Sequence, residues 1–247
     1  MNIKSAFTIL VLLHSFPPYL WAINVWINNT IQSPNPDGSQ EHPFFTFDQA
    51  YNQNISKIID STPVVVIFAS TASQYNLTLS LMPVDNTTTF DITFTSDVGF
   101  NHNGTIPFNV LPKVLIAKPS TPFIKLMGMN LSFKMSYLNV QIITVKGNED
   151  NLIALYSVDK LMYSLSNVYF HYDSDGDPNQ TDLVLISLQS NGQAIMNWDN
   201  VYLRSAPTES LIQLSSSSQT VQINNTIVEV VDTKILTNNP SFFQLTV

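Results

Sequence analysis

A short acidic loop has the clearest potential for metal chemistry in this sequence. Asp173, Asp175 and Asp177 place side-chain oxygens at alternate positions, which is the spacing by which a short loop wraps a calcium ion. An EF-hand loop starting at Asp173 would need a glutamate at its twelfth position, where Val184 stands, and its glycine sixth instead of fourth. We therefore favour a solvated loop between strands, with a calcium site at the three aspartates as the alternative.

The other residues capable of acid–base chemistry are scattered. Arg204, the only arginine, alternates with Leu203, which predicts an outward-facing strand position, and its nearest acidic neighbours are Asp199 and Glu209. The chain has no cysteine, which excludes thiol nucleophiles, disulfides and Cys-ligated metals. Three histidines after residue 22 lie far apart and lack the partners of a catalytic triad or a zinc site: His42, His102 and His171. We predict no catalytic residue.

Charge is scarce throughout the chain. Its 247 residues include 10 Lys+Arg and 18 Asp+Glu, a net charge of −8, and the charged fraction is 11% where about 25% is usual. The acidic balance, with a pI near 4.7, argues against a nucleic-acid partner. An apolar fraction of 44% is too high for disorder. We expect one folded domain whose surface is made polar by Asn, Ser and Thr.

Residues 1–22 have the features of a secretory signal peptide. Lys4 precedes an apolar run over residues 6–13, followed by Pro17-Pro18 and the small residue Ala22. The run is shorter than the ~20 residues that span a bilayer, and no later stretch is long enough, so we predict no membrane span. The alternative is a buried N-terminal strand. We expect a secreted or cell-surface protein.

Glycosylation signals agree with that location. The pattern Asn-x-Ser/Thr marks acceptor sites in secreted proteins, and it occurs at Asn28, Asn54, Asn76, Asn86, Asn103, Asn130, Asn179 and Asn224. We expect three or four of the eight to be used, because several arise by chance in a chain this rich in Asn, Ser and Thr.

The second half of the chain contains a repeat centred on four asparagines. Asn139, Asn167, Asn200 and Asn225 lie 28, 33 and 25 residues apart. Two and four residues before each of them stand apolar residues, and after each the apolar positions change phase. Alternation on both sides predicts strands. The change of phase predicts that each asparagine turns a corner with left-handed backbone angles.

A second strand belongs to each repeat unit and ends at a leucine. Leu126, Leu155, Leu188 and Leu214 precede the four asparagines by 13, 12, 12 and 11 residues. Three short strands per unit, with insertions between units, indicate an all-β fold, a parallel β-helix whose coils occupy residues 61–247. An antiparallel β-sandwich is the alternative, disfavoured by few hairpin signals.

Residues 23–60 precede the coils and predict a cap made of a strand, a turn and a short helix. Thr46 and Gln49 fit a capping box, and Phe47, Tyr51, Ile55 and Ile58 share one helical face. We expect this helix to cover the open end of the solenoid.

The cap also carries a resemblance. Its Asp37-Gly38-Ser39, followed by Pro43-Phe44-x-Thr46-Phe47-x-x-Ala50, resembles the start of right-handed parallel β-helix domains of the pectin lyase-like superfamily. The resemblance implies a right-handed solenoid, and the superfamily includes polysaccharide lyases, glycoside hydrolases and non-enzymes. The polygalacturonase-like motifs Asn-Thr-Asp, Asp-Asp, Gly-His-Gly and Arg-Ile-Lys are not in this sequence.

The last residues repeat the start of a unit without completing it. Leu245 follows Leu214 by 31 residues, and no asparagine corner follows. We expect a fragment of a longer surface protein. The alternative is that Phe242 and Phe243 fold over the open end.

These patterns favour a non-catalytic, extracellular β-helix module that binds glycans or other partners on a polar flank or acts as a spacer. A divergent polysaccharide lyase or glycoside hydrolase is the alternative, and assembly through an open coil end is a third hypothesis. The enzyme hypothesis requires carboxylates to converge on one exposed flank, from among Asp159, Asp173, Asp175, Asp177, Asp182 and Asp199.

Overall fold

The chain forms one sheet of stacked parallel strands. The computed structural model describes residues 22–60, 62–71, 74–77, 84–98, 107–117, 124–144, 153–174, 184–205, 210–230 and 241–246. The strands are β1 (Ile23–Ile27), β2 (Val64–Phe68), β3 (Gln74–Leu77), β4 (Val84–Ser96), β5 (Lys113–Ala117), β6 (Ile124–Thr144), β7 (Ile153–Ser174), β8 (Val184–Ser205), β9 (Ser210–Asn224), β10 (Ile227–Val230) and β11 (Ser241–Thr246).

Their order is that of a solenoid. Hydrogen-bonded neighbours run β1-β2-β4-β6-β7-β8-β9-β11, and β3-β5-β6 and β8-β10 add further parallel pairs. Every strand pairing among the described residues is parallel. The predicted all-β fold of stacked parallel strands is therefore confirmed, and the antiparallel β-sandwich is wrong.

The predicted leucine ladder is also confirmed. Leu126 pairs with Leu155, Leu155 with Leu188, Leu188 with Leu214 and Leu214 with Leu245. The first four side chains are almost completely buried. Equivalent residues thus stack at the ~4.8 Å spacing of neighbouring strands, and each coil covers the apolar interior of the next.

Three of the four predicted asparagine corners are present. Asn167, Asn200 and Asn225 have φ values of 53°, 54° and 47°, in the left-handed region that asparagine tolerates better than most residues. The Asn200 Nδ2 donates a hydrogen bond to the Asn167 Oδ1 at 2.6 Å. The Asn225 Nδ2 instead donates a hydrogen bond to the Asp199 Oδ1 at 3.3 Å, so each of these two side chains bonds to the preceding coil.

The fourth predicted corner, at Asn139, is wrong. Tyr137 has the left-handed backbone there, with a φ of 53°, and Asn139 lies two residues further on, in register with Tyr169. The error comes from the period of the strand: a shift of two residues leaves every side chain on the same face, so the apolar pattern cannot distinguish the two registers.

A second corner, which the sequence pattern did not predict, is built on small residues. Gly128, Ser157, Ser190 and Ser216 stack in register where the pairing slips, and the three serines are buried. The Ser190 hydroxyl donates to the carbonyl oxygen of Asp159 at 3.1 Å. A small hydroxyl at this position satisfies backbone carbonyls that the bend removes from the ladder.

Aromatic rings fill the interior between successive coils. Phe68, Phe94, Phe133 and Tyr163 form a column whose neighbouring ring centroids are 6.0, 5.7 and 6.2 Å apart. The Tyr163 side chain is completely buried, and its hydroxyl has no hydrogen-bond partner among the described residues. Burial raises the pKa of this phenol far above its ordinary value.

A short helical segment packs against the first coils through Phe47, whose ring centroid lies 5.6 Å from that of Phe94 on β4. It consists of α1 (Phe47–Ala50), a π-helical turn (Tyr51–Ile55) and α2 (Ser56–Ile58). The Thr46 side chain accepts a hydrogen bond from the Gln49 backbone N–H, as the capping box predicted. Phe47 and Ile55 are buried, but Ile59 is buried more deeply than Ile58, because the wider π-helical turn advances the apolar face by one residue.

Candidate functional site

The side of the coils between the serine corner and the asparagine corner carries, next to the asparagine corner, an array of polar side chains, which we call the polar flank. On β7, Tyr163 and Leu165 are buried, so Ser164 and Ser166 between and beside them point outward. The register extends this alternation over four strands. The polar flank comprises Lys134, Ser136, Ser164, Ser166, Asn197, Asp199, Gln222 and Asn224.

The polar flank is two columns wide. One column runs Lys134, Ser164, Asn197, Gln222 and the other runs Ser136, Ser166, Asp199, Asn224. Parallel strands repeat every ~4.8 Å, and alternate residues on one strand are ~6.6 Å apart. The flank is therefore a grid of hydrogen-bonding groups about 14 Å long between its first and last strands.

Most of this grid is neutral. The Lys134 Nζ lies 3.7 Å from the Asp91 carboxylate, and Asp199 is the only acidic side chain of the flank. Asp199, Gln222 and Asn224 are exposed, whereas Ser164, Ser166 and Asn197 are half-buried. The Asn197 Oδ1 is shielded from solvent and has no hydrogen-bond partner among the described residues. Hydroxyls and amides can both donate and accept hydrogen bonds, which suits a polyhydroxylated ligand.

Around the asparagine corner lies a stack of aromatic rings. The rings of Tyr169 and Tyr202 are nearly parallel, at 13°, with centroids 5.1 Å apart, which follows from their pairing on neighbouring strands. Phe108, from a 3-10 turn over Phe108–Val110, lies against both, at 5.8 and 6.3 Å. The stack attaches this turn to the coils beside the flank.

Arg204 lies on the same side as the tyrosines, at a half-buried position next to buried Leu203. It is in register with His171 on β7 and with Glu229 on β10. The His171 ring contacts that of Tyr169 at 6.3 Å. Arg204 is therefore separated from Asp199 of the polar flank by the asparagine corner.

The aspartates whose convergence the enzyme hypothesis requires are separated where they are described. Asp199 is in register with Ser166, which lies seven residues after Asp159 and seven before Asp173 on β7. Seven residues extend about 23 Å along the chain, and the chain turns at Asn167 between Ser166 and Asp173. Asp159 therefore lies at the serine corner, Asp199 beside the asparagine corner and Asp173 near the end of β7.

The structure describes only Asp173 of the predicted calcium loop, and it describes His42 but not His102. Asp173 lies in β7, and Asp175, Asp177, Asp182 and His102 lie outside the described residues. The His42 Nδ1 is 3.3 Å from the Ser33 hydroxyl in the cap. Within the described ranges, no group of three or more His, Asp or Glu side chains could hold a metal ion.

The predicted glycosylation sites differ in accessibility. Asn28 is only 7% exposed, and its Oδ1 accepts a hydrogen bond from the Thr30 hydroxyl of its own signal at 2.7 Å. Asn54 and Asn130 are half-buried. Asn103 and Asn179, like residues 1–21 of the predicted signal peptide, lie outside the described residues. Three side chains are exposed: Asn76, Asn86 and Asn224.

The sequence pattern alone did not lead to the aromatic stack, although its signal is present. Asn-Val-Tyr occurs at residues 167–169 and again at 200–202, so each tyrosine follows a stacked corner by two residues. Asn139-Val140 has the same first two residues, and for this reason the pattern predicted a corner at Asn139 instead of Tyr137. Phe108 could not be found this way, because it reaches the stack from a loop.

The part of the chain that the structure describes contains no helix long and apolar enough to cross a membrane. Comparison of the sequence and the structure with protein-family models, curated proteins and solved structures found no significant match.

Proposed function

We propose that this protein is a secreted or cell-surface β-helix module that binds extracellular glycans without cleaving them, through the polar flank. The observation that supports this proposal is the grid of hydroxyl and amide side chains repeated on four neighbouring strands. A glycan chain repeats its hydroxyl groups along its length, and a rigid, repeating grid can bind such a ligand with little loss of conformational entropy.

The remaining features of the proposal come from the sequence. Residues 1–22 act as a signal peptide, the exposed acceptors outside the polar flank, Asn76 and Asn86, carry N-linked glycans, and the coils wind right-handed, as the resemblance to the pectin lyase-like superfamily implies. The low charge of the flank favours neutral or weakly acidic glycans over strongly anionic ones, because Lys134 is its only cation and has a carboxylate close by.

The proposal is tested by measuring binding to immobilised xylan, β-glucan, chitin oligosaccharides and polygalacturonate. The double substitution Ser164→Ala and Asn197→Ala removes two polar groups from the centre of the flank. If each contributes a hydrogen bond worth about 1 kcal/mol, affinity falls by roughly tenfold or more. Gln141→Ala, a polar position on the side that carries the tyrosines, is the matched control.

Two outcomes contradict the proposal. Binding that the double substitution leaves unchanged would place the ligand elsewhere, and absence of binding to all four glycans would remove the basis for a glycan-binding module. Calcium-dependent release of unsaturated oligosaccharides from polygalacturonate, or release of reducing sugar from any of the four, would establish the alternative of a divergent lyase or hydrolase.

A further inference from the structure

Beside the polar flank, towards the serine corner, two apolar side chains face outward. Met162 on β7 precedes buried Tyr163, and Ile195 on β8 precedes buried Met196, so Met162 and Ile195 point away from the interior. They are in register on neighbouring strands, and both are half-buried. We call these two residues the apolar pair.

The apolar pair interrupts a side of the coils that is otherwise polar. Between the serine corner and the asparagine corner, every other outward position in the described segments of β6 to β9 has a polar or charged side chain. In the column of the pair itself, Ser132 lies in register before Met162 and Thr220 lies in register after Ile195. The two apolar side chains therefore lie together within a polar surface.

Polar columns border the apolar pair on both sides. Lys160 and Gln193 are in register two residues before it, and both are exposed. Ser164 and Asn197 of the polar flank are in register two residues after it. Each column is ~6.6 Å from the next. The result is a narrow apolar strip with hydrogen-bonding groups along both edges, and it runs across the strands, along the solenoid.

This arrangement matches the surface of a sugar ring. A pyranose ring with equatorial substituents has C–H bonds on its faces and hydroxyl groups around its rim. Its face can pack on the apolar pair, which removes apolar surface from water, while its rim reaches polar side chains on both sides. A protein partner needs more, because a standard interface buries about 800 Å² on each side around large, often aromatic anchors.

We propose that the apolar pair contacts one face of a sugar ring and that the ligand is a β-1,4-linked polysaccharide with equatorial hydroxyls, of the glucan or xylan type. This inference rests on the glycan-binding function proposed above and specifies the glycan. Strands in register keep this side of the coils straight along the solenoid. A β-1,4-linked chain of such sugars is an extended ribbon that fits a straight row of side chains, whereas an α-1,4-linked chain curves into a helix.

Oligosaccharides that differ in linkage test this geometry on the unsubstituted protein. Cellohexaose and maltohexaose contain the same sugar and differ only in having β-1,4 or α-1,4 linkages. Xylohexaose is β-1,4-linked and also has equatorial hydroxyls. We expect isothermal titration calorimetry to show that cellohexaose and xylohexaose each bind roughly tenfold or more tightly than maltohexaose.

Substitutions at the apolar pair test its contact with the ligand. Met162→Gln and Ile195→Thr together keep the side chains similar in size but replace apolar surface with polar groups. We expect this double variant to bind cellohexaose roughly tenfold more weakly, with circular dichroism establishing that it is folded. Met127→Gln is the matched control, because Met127 is a half-buried methionine on the other side of the serine corner; its affinity should be unchanged.

Equal affinity for cellohexaose and maltohexaose would overturn this inference, and so would a preference for cellohexaose that the double variant at the apolar pair leaves unchanged. In both cases, binding that still depends on Ser164 and Asn197 would support the glycan-binding function with a different class of ligand. Absence of binding to every glycan would overturn the proposed function and this inference with it. The linkage comparison decides the question if the double variant does not fold.

Discussion

The stacked asparagine corner at Asn200 allows the contributions of backbone and side chain to stability to be separated. Asn200→Ala removes the 2.6 Å hydrogen bond to Asn167 and places an alanine at a left-handed φ of 54°. Loss of a partly buried hydrogen bond costs about 1 kcal/mol, and an alanine in the left-handed region costs about 1 kcal/mol more. We expect Asn200→Ala to lower the free energy of unfolding by about 2 kcal/mol.

Asn200→Gly isolates the first of these terms. Glycine adopts left-handed angles without steric cost, so this variant loses the hydrogen bond and gains some unfolded-chain entropy but avoids the steric cost of alanine, and it should be destabilised less than Asn200→Ala, by about 1 kcal/mol. Asn139→Ala is the control for the corrected register. Because Asn139 lies in an extended strand beside Tyr169, we expect a change within about 0.5 kcal/mol.

The assay is urea unfolding followed by far-UV circular dichroism, comparing transition midpoints at constant m-value. Equal destabilisation by alanine and glycine at position 200 would show that the backbone there is not left-handed. A larger effect at Asn139 than at Asn200 would restore the corner to Asn139 and refute the register on which the fold description depends.

Two further predictions concern the interior of the coils. A Cβ atom at Gly192 would collide with the carbonyl group of Asp159 on the preceding coil, so Gly192→Ala should lower the free energy of unfolding by about 1–3 kcal/mol in the same urea assay. The control is Gln193→Ala, at the neighbouring exposed position, which should cost less than about 0.5 kcal/mol. Equal values for the two variants would contradict the close stacking of this corner. Tyr163→Phe removes a buried hydroxyl without a described partner and should leave stability at neutral pH within about 1 kcal/mol of the original protein. Because burial raises the pKa of Tyr163 above its ordinary 10.0, the unfolded chain loses this proton first as the pH rises, and stability falls above about pH 10 by up to ~1.4 kcal/mol per pH unit from this group. Urea midpoints measured across that range should fall less steeply for Tyr163→Phe, and parallel curves would show that the phenol is not buried.

Much of the architecture could be predicted from local pattern. The leucine ladder and three of the asparagine corners are recognisable because each coil repeats the same sequence of inward and outward positions, and every equivalent position has the same environment. The start of the cap helix was predicted equally well, because the Thr46 side chain and the Gln49 backbone N–H form their hydrogen bond within a single turn.

The failures occurred where the pattern is degenerate or the contacts are non-local. Tyr137 and Asn139 differ by the period of a strand, so hydrophobic alternation fits either as the corner, and only the pairing of Ser136 with Ser166 distinguishes them. The serine corner gives no apolar signal, because small polar residues are common throughout this chain. The π-helical turn, which moved burial from Ile58 to Ile59, has no counterpart in an ideal helical pattern.

The candidate sites show the same difference between what local pattern predicts and what non-local contacts decide. That residues such as Ser164 and Asn197 face outward follows from alternation alone, which the sequence contains. Their alignment into one grid, the separation of Asp159, Asp173 and Asp199 around the coil, and the pairing of Met162 with Ile195 depend on the register between strands. Register is set by contacts between residues some 25 to 33 positions apart, and those contacts exist only in the folded chain.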